Sequence, residues 1–215
     1  METKEVKNWH KEVIGQKVVE ALIKNDFDAM YVSTTEEASD FIMKHVTQDA
    51  TVGFPGSMTI YNMGIQDKVR AVGGKVLEHT IPGLTLDERV AIAREEMISD
   101  LYLCSSNAIT LDGIIVNVDS WGNRIGAMNF GPKKVIIVVS VDKVCKDEAE
   151  AFERLKAVAA PMNNKRLETS NPCVKTGVCV NCQAKNRFCR SYSVMRKKPA
   201  MTDISVVVVG DSCGL

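Results

Sequence analysis

The sequence has no excess of either charge and no long apolar run. Its 215 residues contain 27 Lys plus Arg and 27 Asp plus Glu. This balance excludes the broad basic surface that nucleic acids attract, so a small molecule or a protein is the expected partner. The longest apolar runs, around 135–139 and 206–209, are too short to cross a bilayer. The charged first residues do not resemble a secretory signal, so we expect a cytoplasmic protein with no membrane partner.

Familiar catalytic motifs are also missing. The sequence contains no HExxH string, no phosphate-binding GxxxxGK[ST] string and no Ser-His-Asp order. It has three histidines, His10, His45 and His79, and each is expected at the surface rather than acting as a general base. Of these, His79 alone follows a strand, at the end where ligand sites of α/β proteins lie. The sequence therefore assigns no catalytic base.

What the sequence does contain is an alternation of helical and strand patterns. Helical apolar periodicity covers 5–24, 36–46, 57–72, 85–98 and 148–159, and strand-like runs cover 28–32, 51–54, 75–78, 101–104, 114–118, 134–140 and 204–210. The run 134–140 is almost entirely β-branched, which is typical of a strand covered on both faces. This order predicts one α/β domain over 1–215, with a mostly parallel sheet flanked by helices.

Four of the seven cysteines lie in one turn-rich segment. They are Cys173, Cys179, Cys182 and Cys189. Such a cluster favours a shared metal over two disulfides or four unrelated thiols, since a reducing cytosol disfavours stable disulfides. Zinc and a 4Fe-4S cluster both accept four thiolates, and the spacing does not distinguish them. We expect this four-cysteine metal centre to organise an excursion over 163–199, between the last helix and the last strand.

A glycine-rich turn, Val52-Gly53-Phe54-Pro55-Gly56-Ser57-Met58-Thr59, joins a predicted strand to a predicted helix. Free backbone amides at such a turn, with a helix dipole behind them, suit a phosphate or a carboxylate. Gly53, Gly56, Ser57 and Thr59 are therefore candidate ligand-binding residues. The alternative is an ordinary tight turn in which Ser57 only caps its helix.

A polar segment follows over 105–124. Asp112-Gly113 predicts a hairpin turn, and Gly122-Asn123 a second one. Asn117 and Asp119 share one face of a strand. Amide, carboxylate and guanidinium groups could converge there on a polar ligand. The candidate binding residues are Asn107, Asn117, Asn123 and Arg124. The candidate acid–base residues are Asp112 and Asp119. The alternative is a solvated hairpin face with a surface ion pair.

Several strings together resemble one known family, the lactate-utilisation (LUD) domain family, over nearly the whole chain. They are 52–59, 106–110, Asp112-Gly113, Asn117-Val118-Asp119, Gly122-Asn123-Arg124, 131–136 and Asp142-Lys143-Val144. The cysteine tail is similar to that of a standalone branch of the family. The resemblance implies a fold like ribose-5-phosphate isomerase, glucosamine-6-phosphate deaminase and the CoA transferases, in which the glycine-rich turn receives phosphates or acyl and CoA groups. Pro55 departs from the family pattern, and it removes one amide from the expected cradle.

Two functions remain open at this point. In the first, the protein serves lactate or organic-acid utilisation by binding a small anionic metabolite at the glycine-rich and DG-NxD-GNR loops. In the second, it is a non-catalytic accessory or electron-transfer protein whose cysteine segment docks onto an iron–sulfur oxidoreductase subunit. The resemblance implies such a partner because some family members accompany iron–sulfur oxidases. It supplies no agreed catalytic residue, so whether the protein is an enzyme stays open.

Overall fold

The computed structural model describes residues 2–215, where β-strands form two sheets flanked by helices. The strands are β1 Asp28–Val32, β2 Thr51–Gly53, β3 Lys75–Leu77, β4 Leu101–Cys104, β5 Ala108–Thr110, β6 Ile115–Asp119, β7 Lys134–Ser140, β8 Val144–Cys145, β9 Ser191–Met195 and β10 Asp203–Val209. The helices are α1 Thr3–Lys24, α2 Thr35–Met43, α3 Met58–Asn62, α4 Ile65–Ala71, α5 Leu86–Glu96, α6 Asn123–Asn129, α7 Glu148–Arg154, α8 Ala160–Arg166 and α9 Cys173–Thr176. Within this described part, no helix has the length and apolar content needed to span a bilayer.

The larger sheet confirms the predicted α/β class. Its six strands run in the order β1-β10-β7-β4-β2-β3, and every neighbouring pair is parallel. Strands β7 and β10 are interior strands and are buried along almost their whole length. Their β-branched side chains face helices on both sides, which is why the sequence of a central parallel strand does not alternate with polar residues.

Two apolar cores sandwich this sheet. On one face, Val18 and Leu22 of α1 pack with Ile137 of β7. On the other face, Ile42 of α2 and Val69 of α4 pack with neighbouring β-strand residues such as Ile136. Consecutive β7 residues thus enter opposite cores, as the two-residue period of a strand requires. The sheet is held rigidly between the two helix layers.

A second sheet was not predicted. It has four strands in the order β8-β5-β6-β9, with β5 and β9 antiparallel to β6. The Asp112-Gly113 turn joins β5 to β6, as the sequence predicted. Gly113 adopts φ +77, and a Cβ there would lie 2.9 Å from the backbone of Ala21 and Leu22. This turn therefore requires glycine both for its backbone angle and for its close approach to α1.

Other local expectations were wrong. The segment 163–199 is not wholly irregular, because β9 lies inside it and gains its stability from pairing with β6. The helix expected over 57–72 is divided into α3 and α4 by Gly64, which has left-handed φ +63. Gly122-Asn123 forms no hairpin, since Gly122 at φ +82 begins helix α6. The helix expected over 148–159 instead continues through a π-helical turn, Leu155–Ala159, into α8.

Candidate functional site

A cavity of about 450 Å³ opens at the carboxyl edge of the parallel sheet. Its wall includes residues that directly follow four strands: 55–59 after β2, His79 and Thr80 after β3, 105–107 after β4, and Lys143 after β7. Residues of α5, α6 and α8, the end of β6, Phe188 and Leu215 also contribute to the wall. Ligand sites in α/β proteins lie at this edge because the strand-to-helix loops meet there. The cavity is therefore the candidate functional site.

The structure brings most of the expected site residues to this cavity. Gly56, Ser57, Thr59, Asn107, Asp119, Asn123 and Arg124 line it. Gly53 instead lies beneath, where a Cβ would come within 2.8 Å of the Tyr102 ring, and Asn117 is buried behind the wall. Asp112 is exposed in the β5–β6 turn, at the opposite end of β6 from Asp119. The two acid–base candidates are thus separated, and Asp119 alone reaches the cavity.

The glycine-rich turn offers a smaller anion cradle than the sequence suggested. Gly56 has φ +76, and a Cβ on it would lie 2.9 Å from the Thr80 methyl group. Ser57 begins α3, but its side chain makes no capping hydrogen bond within the described structure, so its hydroxyl is not used by the helix. Helix α3 has five residues, and its dipole is correspondingly weak. The turn contributes backbone amides and a hydroxyl rather than a strong helix field.

Arg124 is the centre of a closed hydrogen-bond network. Its Nε and Nη2 donate to Asp119 Oδ1 at 3.0 and 2.8 Å, an ion pair with side chains 15% and 8% exposed. The remaining guanidinium contacts are to Asn117 Oδ1 at 2.7 Å, Asn107 Oδ1 at 2.8 Å, Ser105 O at 2.9 Å and Val118 O at 3.0 Å. All three guanidinium nitrogens therefore already have protein acceptors.

The same network fixes the loops around it. Asn107 Oδ1 also accepts from the amide of Val118 at 3.0 Å, and Asn117 Oδ1 accepts from the amide of Asn107 at 2.9 Å. Asp119 Oδ2 accepts from the amide of Ile125 at the start of α6. Anion binding by Arg124 stays a prediction, and it would require Arg124 to release one of these acceptors. Its observed contacts hold β4, β6 and α6 together.

Lys143 is a buried cavity residue that the sequence did not single out. It ends the 3-10 turn Val141–Lys143 after β7, and the residue is 4% exposed. Its Nζ contacts Ser105 Oγ at 3.3 Å and Ser106 O at 3.4 Å, and within residues 2–215 no carboxylate lies within ion-pair distance of it. Burial, followed by the charge of Arg154, lowers the pKa of Lys143 to about 8. Lys143 is thus a poorly compensated cation on the cavity wall.

His79 is also buried, so its expected place at the surface was wrong. Its Nδ1 lies 2.8 Å from Oε1 of the fully buried Glu96, which also accepts from the His79 amide at 2.8 Å. Burial raises the pKa of the Glu96 carboxyl. The imidazole stacks on Trp121 at 5.7 Å. In the described part of the chain, no protein group bonds Nε2, so this nitrogen is left for the cavity.

Two arginines extend the positive charge of the cavity. Arg89 donates from Nε to His79 O at 3.1 Å, and its guanidinium carbon lies 5.4 Å from the centre of the Trp121 ring. Arg166, at the exposed rim, donates twice to Asn163 Oδ1. Neither has a carboxylate partner among the described residues. With Lys143, the cavity has three cations without an acidic partner, because Asp119 is already paired with Arg124.

The comparisons with known proteins agree with this fold. A family model described as the LUD domain matches residues 15–209. The chain belongs to the LUD domain family. Membership makes it a lactate-utilisation-type protein in general terms and confirms the resemblance seen in the sequence. A crystal structure of a DUF162 family protein from Deinococcus radiodurans is similar over 93% of this chain and 98% of that chain, with a TM-score of 0.54 and 20% identity. At this identity the likeness shows the fold alone. No curated protein matches the chain.

In this LUD domain chain the cysteine segment adjoins the cavity. Phe188 lies in the cavity wall. Arg187 donates to the carbonyl oxygens of Cys189 and Cys182, at 2.7 and 2.9 Å, and so fixes the backbone between two of the predicted metal ligands. Burial and then the charge of Cys179 raise the pKa of Cys189 to about 11, with smaller effects from the other two thiols.

All seven cysteines are free thiols in the structure. Within residues 2–215 no three His, Cys, Asp or Glu side chains are arranged to hold a metal ion. The donor set is nevertheless chemically suited to zinc or iron, since thiolates are preferred ligands of both. The four-cysteine centre therefore stays a prediction.

The sequence analysis did not identify the cations of the cavity or the residues that orient His79. Lys143 appeared only inside a family string, and Arg89, Arg166 and Trp121 were not selected. One signal could have found Lys143: it lies three residues after Ser140, the end of a buried strand, and α/β sites occur at this end of the strands. The partnership between His79 and Glu96 joins a loop to a helix 17 residues later, and no local spacing rule predicts it.

Proposed function

We propose that this LUD domain protein binds a small organic anion in the cavity at the carboxyl edge of its parallel sheet. The observation that supports the proposal is the set of cations without acidic partners, Lys143, Arg89 and Arg166. An uncompensated positive charge in a partly desolvated cavity favours an anionic ligand, because Coulomb attraction strengthens as the surrounding dielectric falls. Three such charges suit a ligand with a carboxylate or a phosphate, and the family membership points to organic acids.

The remaining polar groups have distinct roles in this proposal. The Gly56 and Ser57 amides and the Ser57 hydroxyl would donate hydrogen bonds to one oxygen of the anion. The network around Arg124 would keep the loops after β4 and β6 in place without contacting the ligand charge directly. His79 would act as the group that exchanges protons, since Glu96 orients its ring and its Nε2 is not bonded to protein.

Thermal unfolding in the presence of candidate anions tests this proposal. Lactate, pyruvate, inorganic phosphate, sugar phosphates and CoA esters form the panel. A ligand that binds only the folded state stabilises it by RT ln(1 + [L]/Kd), so the midpoint rises with ligand concentration. Lys143→Met should abolish or strongly reduce the shift. The control is Lys17→Met, since Lys17 is an exposed lysine on α1, remote from the cavity. The absence of any shift across the panel would refute anion binding at this cavity.

A second function is supported by the position of the cysteine segment. In it, Cys173, Cys179, Cys182 and Cys189 hold zinc or an iron–sulfur cluster, and the segment docks onto an iron–sulfur oxidoreductase partner. Val178 and Val180 flank Cys179 and are 51% and 50% exposed, which gives the segment an apolar face. The segment also touches the cavity through Phe188, so a redox partner could act on a bound metabolite.

Anaerobic purification tests whether the cysteine segment binds zinc or an iron–sulfur cluster. An iron–sulfur cluster would give brown protein whose visible absorption is bleached by reductant, whereas zinc would give colourless protein with metal bound stoichiometrically. The double variant Cys179→Ser/Cys182→Ser should lose the metal, while Cys104→Ser, at a cysteine buried in the sheet, should retain it. Protein that contains neither zinc nor iron when prepared without oxygen would exclude this function.

A further inference from the structure

The surroundings of Lys143 differ from those of a lysine held as a charge partner. An ammonium group has three donors, and in a buried place each needs an acceptor. Nζ has a hydroxyl at 3.3 Å and a carbonyl oxygen at 3.4 Å, both longer than the usual ~2.9–3.0 Å of an N–H···O bond. The nearest charges that affect it include two cations, Arg154 and Arg124, opposed by the Cys213 thiol. The site therefore makes the ammonium easier to deprotonate than that of an exposed lysine, and the neutral amine forms as the pH approaches about 8.

A neutral, desolvated amine next to other cations is a nucleophile toward carbonyl carbon. We propose that Lys143 forms an imine with a small carbonyl acid, such as a 2-oxo acid, bound in the cavity. This inference rests on the proposed function, because Arg89 and Arg166 would hold the carboxylate of that acid. It goes further by naming a carbonyl as the second feature of the ligand.

The step needs no oxidant or reductant. The lone pair of Lys143 Nζ attacks the carbonyl carbon, a C–N bond forms, and the carbonyl π electrons become a lone pair on oxygen. That oxygen takes the proton released by nitrogen, which gives a carbinolamine. The carbinolamine oxygen then accepts a second proton and leaves as water, while the nitrogen lone pair forms the C=N bond and nitrogen gives up its remaining proton.

The proton transfers require a group that both accepts and donates, and His79 belongs to the same cavity wall. Its Nδ1 is held by Glu96. Its Nε2 is free of protein partners in residues 2–215. In this proposal it takes the proton from nitrogen and returns it to the departing oxygen through solvent in the cavity, because β4 and β2 separate the strands that precede Lys143 and His79. The cavity therefore contains an amine, a proton carrier and cations for the carboxylate, which together are the components of imine chemistry.

Reductive trapping tests the proposal. The full-length protein is incubated with glyoxylate, pyruvate or 2-oxoglutarate, reduced with cyanoborohydride, digested and mapped by mass spectrometry. The expected product is a covalent adduct on Lys143 with at least one acid, heavier by the mass of that acid less one oxygen atom. Lactate, which has no carbonyl, should give none. Lys143→Arg should remove this adduct, and Lys17→Arg should not.

The same samples are examined for thermal stabilisation before the reductant is added. If the oxo acids stabilise the protein but leave Lys143 unmodified, the imine is refuted and anion binding stands. If they neither stabilise nor modify it, the imine is refuted, and the full anion panel decides whether the cavity binds another anion. Labelling that is spread over exposed lysines and is unchanged by Lys143→Arg would also refute the imine. Because the adduct is located in the wild-type protein, the result does not depend on the folding of a variant.

Discussion

Two cations at the carboxyl edge of the sheet, Arg124 and Lys143, are surrounded in opposite ways. Each is largely buried and each adjoins the same cavity. Arg124 has a carboxylate partner and acceptors for every guanidinium nitrogen, whereas Lys143 has two long contacts and no carboxylate within ion-pair distance in the described structure. A saturated cation, one whose donor atoms all have protein acceptors, stabilises the protein that surrounds it. An unsaturated one is available to something that enters the cavity.

The chemistry of the two side chains explains why Arg124 is saturated and Lys143 is not. A guanidinium presents five N–H donors in a rigid planar arrangement, which suits it to join several loops at fixed angles. An ammonium is a compact charge on a flexible chain, and its pKa falls readily when it is buried. The guanidinium of Arg124 is thus occupied by acceptors of its own protein, whereas the amine of Lys143 has only two long contacts.

The largest expected effect comes from removing the saturated cation. Arg124→Met leaves Asp119 without its ion-pair partner and removes one of the donors to the side-chain oxygens of Asn107 and Asn117. Breaking such a buried pair costs about 3–5 kcal/mol in the free energy of unfolding. Urea denaturation measures the loss. The control is Arg196→Met, because the Arg196–Glu148 pair is exposed and worth at most about 1 kcal/mol. Equal losses in the two variants would contradict the structural role of Arg124.

Removing the unsaturated cation should act in the opposite direction. The pKa of Lys143 is about 8 in the folded protein and near 10.5 when unfolded, so the charged lysine opposes folding at neutral pH. As pH rises through this window the folded state loses its proton first, and wild-type stability should rise. Lys143→Met should therefore be more stable than wild type by about 3 kcal/mol at pH 7, falling to about 1.5 kcal/mol at pH 9.5.

Urea denaturation at the two pH values measures this change. Lys17→Met, which removes an exposed lysine, should show no comparable dependence. The groups that act on Lys143 are the cations Arg154 and Arg124 and the thiol of Cys213, so Cys213→Ser should leave the direction of the effect unchanged. A stability difference between Lys143→Met and wild type that is the same at both pH values would show that Lys143 is not a buried cation.

Sequence reasoning succeeded where the signal was local. The β-branched run of β7 and the Asp112-Gly113 turn were both predicted. A strand buried on two faces and a turn with positive φ each require particular residue types within a few positions. The second sheet was missed because β9 joins β6 across about seventy residues, and its own composition is ordinary for a loop. Pairing between distant strands leaves no local pattern.

In the candidate site, too, only features with a local sequence signal could be predicted. The positions at the ends of β2 and β6 were found because polar and glycine residues cluster there in the sequence. Whether a polar group is satisfied, however, depends on neighbours from other elements. Arg124 on α6 demonstrates this, since its acceptors lie on β6 and in the loop that follows β4. The availability of Lys143 and His79 is likewise a property of packing, so composition and spacing could not reveal it.

The third expected effect concerns the half-buried cation of the cavity. Arg89→Gln removes a charge beside His79 and Trp121, and we expect binding of pyruvate or inorganic phosphate to weaken about tenfold, or about 1.4 kcal/mol. Isothermal titration calorimetry measures the change. The matched control is Arg94→Gln, on the same helix but exposed to solvent, which should leave affinity unchanged. Equal affinities for wild type and Arg89→Gln would remove Arg89 from the anion site.

The smallest expected effect is that of Arg166 at the cavity rim, and it tests whether burial determines how strongly salt screens a cation. Arg166 is exposed, so its charge is screened by solvent and salt, and Arg166→Gln should weaken binding of the same anions only about two- to threefold. That difference should disappear near 0.5 M salt, where the Debye length is only about 4 Å. The loss caused by Lys143→Met should persist there, because a buried charge is screened far less. If salt removed both effects equally, Lys143 would be acting as a surface charge, and the contrast between a saturated and an available buried cation would fail.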